Sequence, residues 1–452
     1  MGVITINAKN FIAGESTTGY IADKGFSPDS YALNLIKLRG LMYFAPSATT
    51  RGSGVILDSI IASCPDTINS TGINAAYLLD RDGNFYTYSG TTLTNKQTSG
   101  HTYTLHTSAL VPHSGYVYAS SEYAVAQLTA SLATLYDEWW TGLSTSYRHP
   151  METVEDELFI ADGDVIYYWN GTSSGTAFTL PHNVNITTLR KHPNGVDLLA
   201  MGGTSRQYDH SGNGAGKIYV CDPQIRDWKR EIDTETQIEG SYLLGGVVYV
   251  TYGSKVGYFN GDGVSFLKQL ATSTFRYSNN MNAFEDNLLV GDGREILMFG
   301  DVGAGKVWSS IFRNSEYSTE IENICYIGGN TVLASFRDSG TVGQLREMDY
   351  DTPSTLGIFY TNKIDFEGEA IVTRIDIIHE VSAANNAKFG LSSVDADGSE
   401  YAINDTAVTV PVGGTRTRIQ CNIRTDVFQL KIVPYNEALG IKSIRIYYDK
   451  IK

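Results

Sequence analysis

Leu158-Phe159-Ile160-Ala161, then Asp162-Gly163-Asp164, then a second strand ending in Trp169-Asn170-Gly171, is the stretch whose reading decides the fold. It is an apolar strand, a turn of residues that tolerate φ > 0, and an aromatic strand closed by another such turn. The unit recurs. Upstream it reads Ala76-Tyr77-Leu78-Leu79 before Asp80-Arg81-Asp82-Gly83, and Tyr116-Val117-Tyr118-Ala119 before Ser120-Ser121. Downstream it reads Leu198-Leu199-Ala200-Met201 before Gly202-Gly203, and Val247-Val248-Tyr249-Val250 before Tyr252-Gly253-Ser254. Leu288-Leu289-Val290 before Gly291-Asp292-Gly293, and Val332-Leu333-Ala334-Ser335-Phe336 before Arg337-Asp338-Ser339-Gly340, complete the set.

Successive copies start about 40 to 49 residues apart, which matches the ~40–50-residue period of four-stranded propeller blades. A sandwich or an up-and-down barrel would give turns without this longer period. Tyr88-Ser89-Gly90, Trp169-Asn170-Gly171 and Phe259-Asn260-Gly261 form a second marker in phase with the first, about two blades apart. Their aromatics are expected to pack between neighbouring blades. The reading is an all-β chain: a β-propeller of about seven blades over 51–355. Tyr123 to Leu143 has helix-like spacing, but Tyr123 to Leu128 falls where the repeat needs a strand, with room for a short helix after it.

The flanks differ from the repeat. Residues 1–50 hold short apolar pieces, Tyr31 to Leu35 and Leu41 to Phe44, among Gly14, Gly19 and Gly25. They read as an extended arm that must borrow a surface: across its own propeller, as the strand that closes the ring, or on a neighbouring subunit. From 356 to 452 longer alternating strands, Thr373 to Ile377, Phe428 to Val433 and Ile441 to Tyr448, read as a C-terminal β-sandwich of jelly-roll type. Lys442, Arg445, Lys450 and Lys452 make its end locally basic, as a solvated strand would be.

Composition bounds the function. With 452 residues the chain is too long for one core, and 45 Gly with 29 Tyr suit many short strands and tight turns. A formal net charge of −15 argues against an electrostatic grip on nucleic acid. It leaves room for DNA sliding past an acidic wall. Cys64, Cys221, Cys325 and Cys421 form neither a zinc spacing nor a disulfide framework, so buried thiols are expected. No signal-peptide h-region or long apolar run is present, so the expectation is synthesis in the cytosol, no membrane partner, and release by lysis if the protein leaves the cell.

Gly300-Asp301-Val302-Gly303-Ala304-Gly305-Lys306 has the glycine and lysine spacing of a phosphate loop, but Val307 replaces the hydroxyl residue and a strand is expected to follow. Gly212 to Lys217 is a weaker match. Asp80-x-Asp82-Gly83 and Asp395-x-Asp397-Gly398 begin like calcium loops and stop short, so hairpin turns explain them. His101, His106, His113, His149, His182, His192, His210 and His379 show no metal spacing. Propeller glycosidases carry acids and arginines at the channel mouth, and Arg190, Arg206, Arg276 and Arg294 fall at blade edges. No sialidase Ser-x-Asp-x-Gly-x-Thr-Trp box accompanies them. The N-x-Ser/Thr sites at Asn69, Asn170, Asn185 and Asn404 read as turn residues. No catalytic, cofactor-binding or metal-binding residue and no cofactor is assigned, and the expectation is a protein that is not an enzyme.

The opening Phe11-Ile12-Ala13-Gly14-Glu15-Ser16, His149-Pro150 before the Leu158 strand, Leu180-Pro181 followed by Ile186-Thr187-Thr188-Leu189, and Tyr219-Val220-Cys221-Asp222-Pro223 carry a diffuse resemblance over residues 10 to 350. With them the chain resembles the propeller-type virion structural proteins of tailed bacteriophages. The resemblance implies a tail component, a hub or nozzle or a tail-tip piece, acting in assembly and serving host attachment or DNA passage. Its partners would be copies of itself, portal, adaptor or tail proteins, and a host-surface glycan; its place would be the virion. The alternatives are a carbohydrate-binding adhesin and a propeller glycoside hydrolase.

Overall fold

The structure is a computed structural model. It describes residues 2–7, 33–34, 43–44, 46–51, 58–69, 74–103, 109–181, 184–204, 214–271, 278–301, 306–313, 320–337, 343–353, 359–361, 364–380, 388–394, 399–403, 407–410, 412–435 and 440–451. Among the described residues, apart from one short 3-10 turn, Ser278–Asn280, the regular elements are strands.

Seven four-stranded antiparallel sheets follow one another along the chain and form a seven-bladed β-propeller. Blade 1 is Ile60–Pro65, Ala75–Asp80, Asn84–Ser89 and Thr92–Thr98; blade 2 is Leu110–His113, Tyr116–Ser120, Ala124–Thr129 and Leu135–Thr141. Blade 3 is Met151–Val154, Glu157–Asp162, Val165–Trp169 and Ser174–Thr179, and blade 4 is Asn185–Lys191, Leu198–Gly203, Gly216–Asp222 and Asp227–Thr234. Blade 5 is Ile238–Leu244, Val247–Tyr252, Lys255–Phe259 and Val264–Gln269; blade 6 is Met281–Phe284, Asn287–Asp292, Glu295–Asp301 and Lys306–Arg313. Blade 7 takes Ile321–Tyr326, Thr331–Arg337 and Gly343–Pro353 from one end of the repeat and Pro46–Arg51 from the opening segment. Each first strand touches the first strand of the next blade, and the seventh returns to the first, so the circuit is closed.

All seven repeat copies quoted above are second strands. The reason they stand out is burial on both faces: Ala75–Asp80 and Leu198–Gly203 are buried at every position, and a strand covered on both sides reads as an unbroken apolar run. Fourth strands face water and alternate, as Leu135–Thr141 does. The stretch with helix-like spacing is two strands of blade 2, not a strand followed by a helix. In five blades the pairing of third and fourth strands shifts register just after the second residue of the third strand, for example between Val125 and Gln127 and between Val256 and Gly257, and in blade 4 it shifts nearer the other end, between Val220 and Cys221. Such bulges add twist to the outer strand.

The cores lie between blades. Tyr88 packs with Cys325, Leu333 and Leu345 of blade 7, Trp169 lies against Tyr118 and Val125 of blade 2, and Phe259 joins Leu199 and Met201 of blade 4. Each marker aromatic therefore covers the preceding blade, as expected from the sequence. Burying one such side chain contributes roughly 1.5–3 kcal/mol.

Of the three places open to the first fifty residues, Pro46–Arg51 takes the ring-closing one, as outer strand of blade 7. Gly2–Asn7 pairs antiparallel with Ile441–Lys450, from Gly2 opposite Tyr448 to Asn7 opposite Ser443. It is the edge of an eight-stranded C-terminal sheet. The halves of that sheet share Arg416–Tyr435, whose early residues pair with Ile364–His379 and late residues with Lys388–Val394. Ile375, Ile377, Ile419, Ile444, Ile446, Leu430 and Ile432 form its buried side. By compactness the chain divides into one unit of 49–294 and 316–347 and another of 1–48, 295–315 and 348–452.

Candidate functional site in the central channel

First strands differ from second strands in carrying polar residues at intervals, as in Met151-Glu152-Thr153-Val154 and Ile321-Glu322-Asn323-Ile324. They surround a cavity of about 320 Å³ to which all seven blades, or the residues just before them, contribute wall. Its polar groups bind one another from blade to blade. Arg190 of blade 4 donates Nη1–H to Glu152 Oε2 of blade 3 at 2.8 Å and Nε–H to the Ser241 carbonyl of blade 5 at 2.9 Å. Tyr242 of blade 5 donates its hydroxyl to Asn282 Oδ1 of blade 6 at 3.3 Å, and Asn282 Nδ2 donates to the Ile324 carbonyl of blade 7 at 2.9 Å. Ser63 of blade 1 donates to Asn323 Oδ1 of blade 7 at 2.7 Å. The result is a hydrogen-bonded collar from blade 3 round to blade 1.

Two longer ties reinforce it. Arg148, just before blade 3, donates Nη2–H to Glu239 Oε2 of blade 5 at 2.8 Å. Asn279, just before blade 6, donates Nδ2–H to the Ile61 carbonyl of blade 1 at 2.6 Å. Side-chain exposure at the Arg148–Glu239 pair is 7% and 2%, so each charge depends on the other for its solvation. Burial raises the Glu152 carboxyl above its usual range, with Arg190 pulling it back down. Burial also raises the Tyr242 phenol. Cys64, in the same wall, is a buried thiol pushed well up by burial, the reverse of an activated nucleophile.

Among the residues singled out from sequence, Arg190 reaches this collar. Arg294 is exposed in the turn of blade 6, and Arg206 and Arg276 lie outside the described residues. Asp80 is buried and accepts bonds from the Asn84 amide at 2.8 Å and the Tyr86 hydroxyl at 2.7 Å, so its turn is a hairpin, with Gly83 at φ 78°. Asp395, Asp397 and Gly398 lie outside the described residues. Lys306 opens a strand, not a helix, and sits 5.7 Å from the Phe299 ring centroid. Lys217, also in a strand, pairs with Glu231 and Asp233.

The described histidines do not converge. His101 Nδ1 is 2.6 Å from the Tyr123 hydroxyl, His149 Nδ1 is 2.8 Å from the Ser121 carbonyl, and His379 lies between the Glu380 carbonyl and Thr417. His113 is buried beside Ser114, which lowers its affinity for a proton. His192 caps a turn at Asn194; His106, His182 and His210 lie outside the described residues. Among the described residues no group of three or more His, Cys, Asp or Glu is placed to hold a metal ion. Asn170 Oδ1 accepts from the Thr172 and Ser173 amides, as a turn residue does. Asn69 bonds the Tyr77 hydroxyl and Ala130 carbonyl, and Asn185 is buried; Asn404 lies outside the described residues. No helix among the described residues is long and apolar enough to cross a membrane.

Arg148, Glu239, Asn282 and Asn323 were not signalled by the sequence. They are separated by up to 175 positions, and no local motif joins them.

No protein-family model matches the chain. No curated protein matches it. A solved structure to which it is similar is a computationally designed protein, Ika8, at 12% identity and a TM-score of 0.43, covering 65% of this chain and 96% of the designed one.

Proposed function

We propose that the chain is a structural protein of a tailed-bacteriophage particle, a hub, nozzle or tail-tip component that acts by assembly and not by catalysis. The observation that supports this reading is the closed ring. Pro46–Arg51 supplies the last outer strand of blade 7, and a closed propeller leaves only short edges, which suits a rigid spacer packed among other proteins. The channel arginines and carboxylates are spent on holding blades together. Contacts between copies would fall on surfaces outside the ring's hydrogen-bonding seam, in heterologous pairs that close a larger ring. Mass and symmetry of the purified full-length protein by electron microscopy test the proposal. A ring of copies is the expected result. A monomer that stays monomeric at high concentration and is absent from any phage particle would overturn it.

A second reading, a carbohydrate-binding protein, is favoured by the polar cavity at the centre of the ring. Retention on a polysaccharide affinity column would favour it over the first.

A further inference from the structure

The C-terminal sheet gathers arginines on one face. In register, Asp376 lies opposite Arg418 on one neighbouring strand and Arg445 on the other, with Thr5 beyond Arg445. The next row is Gln420, Arg374, Tyr447 and Val3, and Arg416 stands two residues from Arg418 on the same side. Ile375, Ile377, Ile419, Ile444 and Ile446 turn to the opposite, buried side.

The charge of the arginine face is unbalanced. Asp376 pairs with Arg374 at 3.5 Å, with Arg418 at 3.2 Å and with Arg416. One carboxylate balances one of these three charges, and the side chains of Arg416 and Arg418 remain 40% and 50% exposed. Arg445 is exposed and forms no ion pair among the described residues. Arg374 is stacked 3.6 Å from the centroid of the Tyr447 ring. Guanidinium groups held by a carboxylate and a ring are pre-organised, with less entropy left to lose on binding.

What complements this face is a surface rich in carboxylates, and the chain carries one. Residues 356–452 hold 11 Lys and Arg against 12 Asp and Glu, whereas residues 1–355 hold 23 against 37. The turns between first and second strands of the blades fall at one end of the channel. There Glu155-Asp156 of blade 3 and Glu285-Asp286 of blade 6 are exposed, with no ion pair among the described residues. None of the seven such turns contains Lys or Arg.

We propose that the arginine face of one copy docks on this acidic end of the propeller of a second copy, a head-to-tail contact that repeats into a ring or a filament. The inference rests on the assembly reading given above. A face four strands wide and about three outward residues long covers on the order of 400 Å², at the small end for protein contacts. The association is therefore weak, and salt screens it.

Sedimentation velocity of the full chain at high protein concentration is the test. Oligomers are expected in about 50 mM salt and monomers in about 500 mM. Arg418→Gln with Arg445→Gln is expected to weaken association about tenfold, and so is neutralising the turns with Glu155→Gln, Asp156→Asn, Glu285→Gln and Asp286→Asn. Because the contact joins two different surfaces, mixing the two variants should give pairs, each copy supplying the surface the other lacks, and no longer chains. Should the double arginine variant fail to fold, Arg445→Gln alone leaves all three partners of Asp376 in place. Oligomers that ignore both salt and the substitutions would overturn this inference and leave the assembly reading standing. A chain that stays monomeric in low salt would overturn this inference and count against that reading; polyglutamate binding to such a monomer would give the face to a foreign acidic partner instead.

Discussion

Arg148 and Glu239, 91 residues apart in sequence, meet at 2.8 Å inside the channel and tie the approach to blade 3 directly to blade 5. Arg148 Nη1 also reaches the Glu239 carbonyl at 3.2 Å, so one side chain holds both the charge and the backbone of its partner.

Removing either partner strands the other in a nearly dry site. Arg148→Ala is expected to lower stability by about 3–5 kcal/mol. The double variant Arg148→Met with Glu239→Leu is expected to regain most of it, because an apolar pair needs no solvation. Urea unfolding of the two variants measures the difference. Equal losses would show that packing, not charge, dominates.

The ring's seam depends on Glu347, which accepts Arg51 Nε–H of the closing strand at 2.5 Å and also the Tyr88 hydroxyl of blade 1. Glu347→Ala is expected to cost about 1.5–3 kcal/mol and to raise amide exchange in 46–51 and 343–353 before the other blades. Hydrogen-exchange mass spectrometry reads this. Exchange that rises uniformly would mean the seam is no weaker than the rest.

In the C-terminal sheet, Asp376 is fully buried and binds Arg418 Nε at 3.2 Å and Arg416 Nη2, with Arg374 at 3.5 Å. Burial pushes its pKa up, but the bond and charge of Arg416, then Arg418 and Arg374, outweigh burial and leave it below the usual carboxylate value. For a lowered acid the unfolded chain takes up the proton first. Its stabilisation is therefore complete above about pH 4, the unfolded value, and is lost as pH falls through the folded value. Asp376→Asn should flatten the acid limb of a stability-versus-pH curve measured below about pH 4.

Two glycines separate crowding from conformation. A Cβ at Gly202 would lie 2.0 Å from the Asn185 carbonyl oxygen, whereas Gly171, at φ 91°, has nothing within 4 Å. Gly171→Ala is expected to cost about 1 kcal/mol from its backbone angle alone. Gly202→Ala must push two backbones apart and should cost several times as much. Thermal melting of both variants orders them.

Cys64, Cys221 and Cys325 are buried and Cys421 is half-buried, with no disulfide among them. Burial raises Cys325 and Cys421 to about 11. A thiol reagent at neutral pH should therefore modify Cys421 first and slowly, and all four at once after denaturation. Rapid labelling of Cys64 in the native protein would contradict its burial.

What the sequence disclosed follows from which strands are buried on both sides. Leu198 to Met201 or Leu288 to Val290 could be seen because nothing polar interrupts them, and their spacing then counted the blades. Pro46-Ser47-Ala48-Thr49-Thr50-Arg51 has no apolar run, so composition did not single it out as a strand; its pairing with Gly343–Pro353 depends on contacts nearly 300 residues away. The collar was hidden for the same reason. Glu152, Arg190, Tyr242, Asn282 and Asn323 come one from each successive blade, and only closure of the circle gives them neighbours.

The seam also orders events in time. Pro46–Arg51 is synthesised before any complete blade, yet the strand it must join, Gly343–Pro353, emerges after the other six blades. On the ribosome the early blades can stack as they appear, while this segment waits unpaired until most of the chain has been made. Closing so large a loop is slow compared with forming a hairpin, so the last event of folding should be the capture of one of the first segments translated.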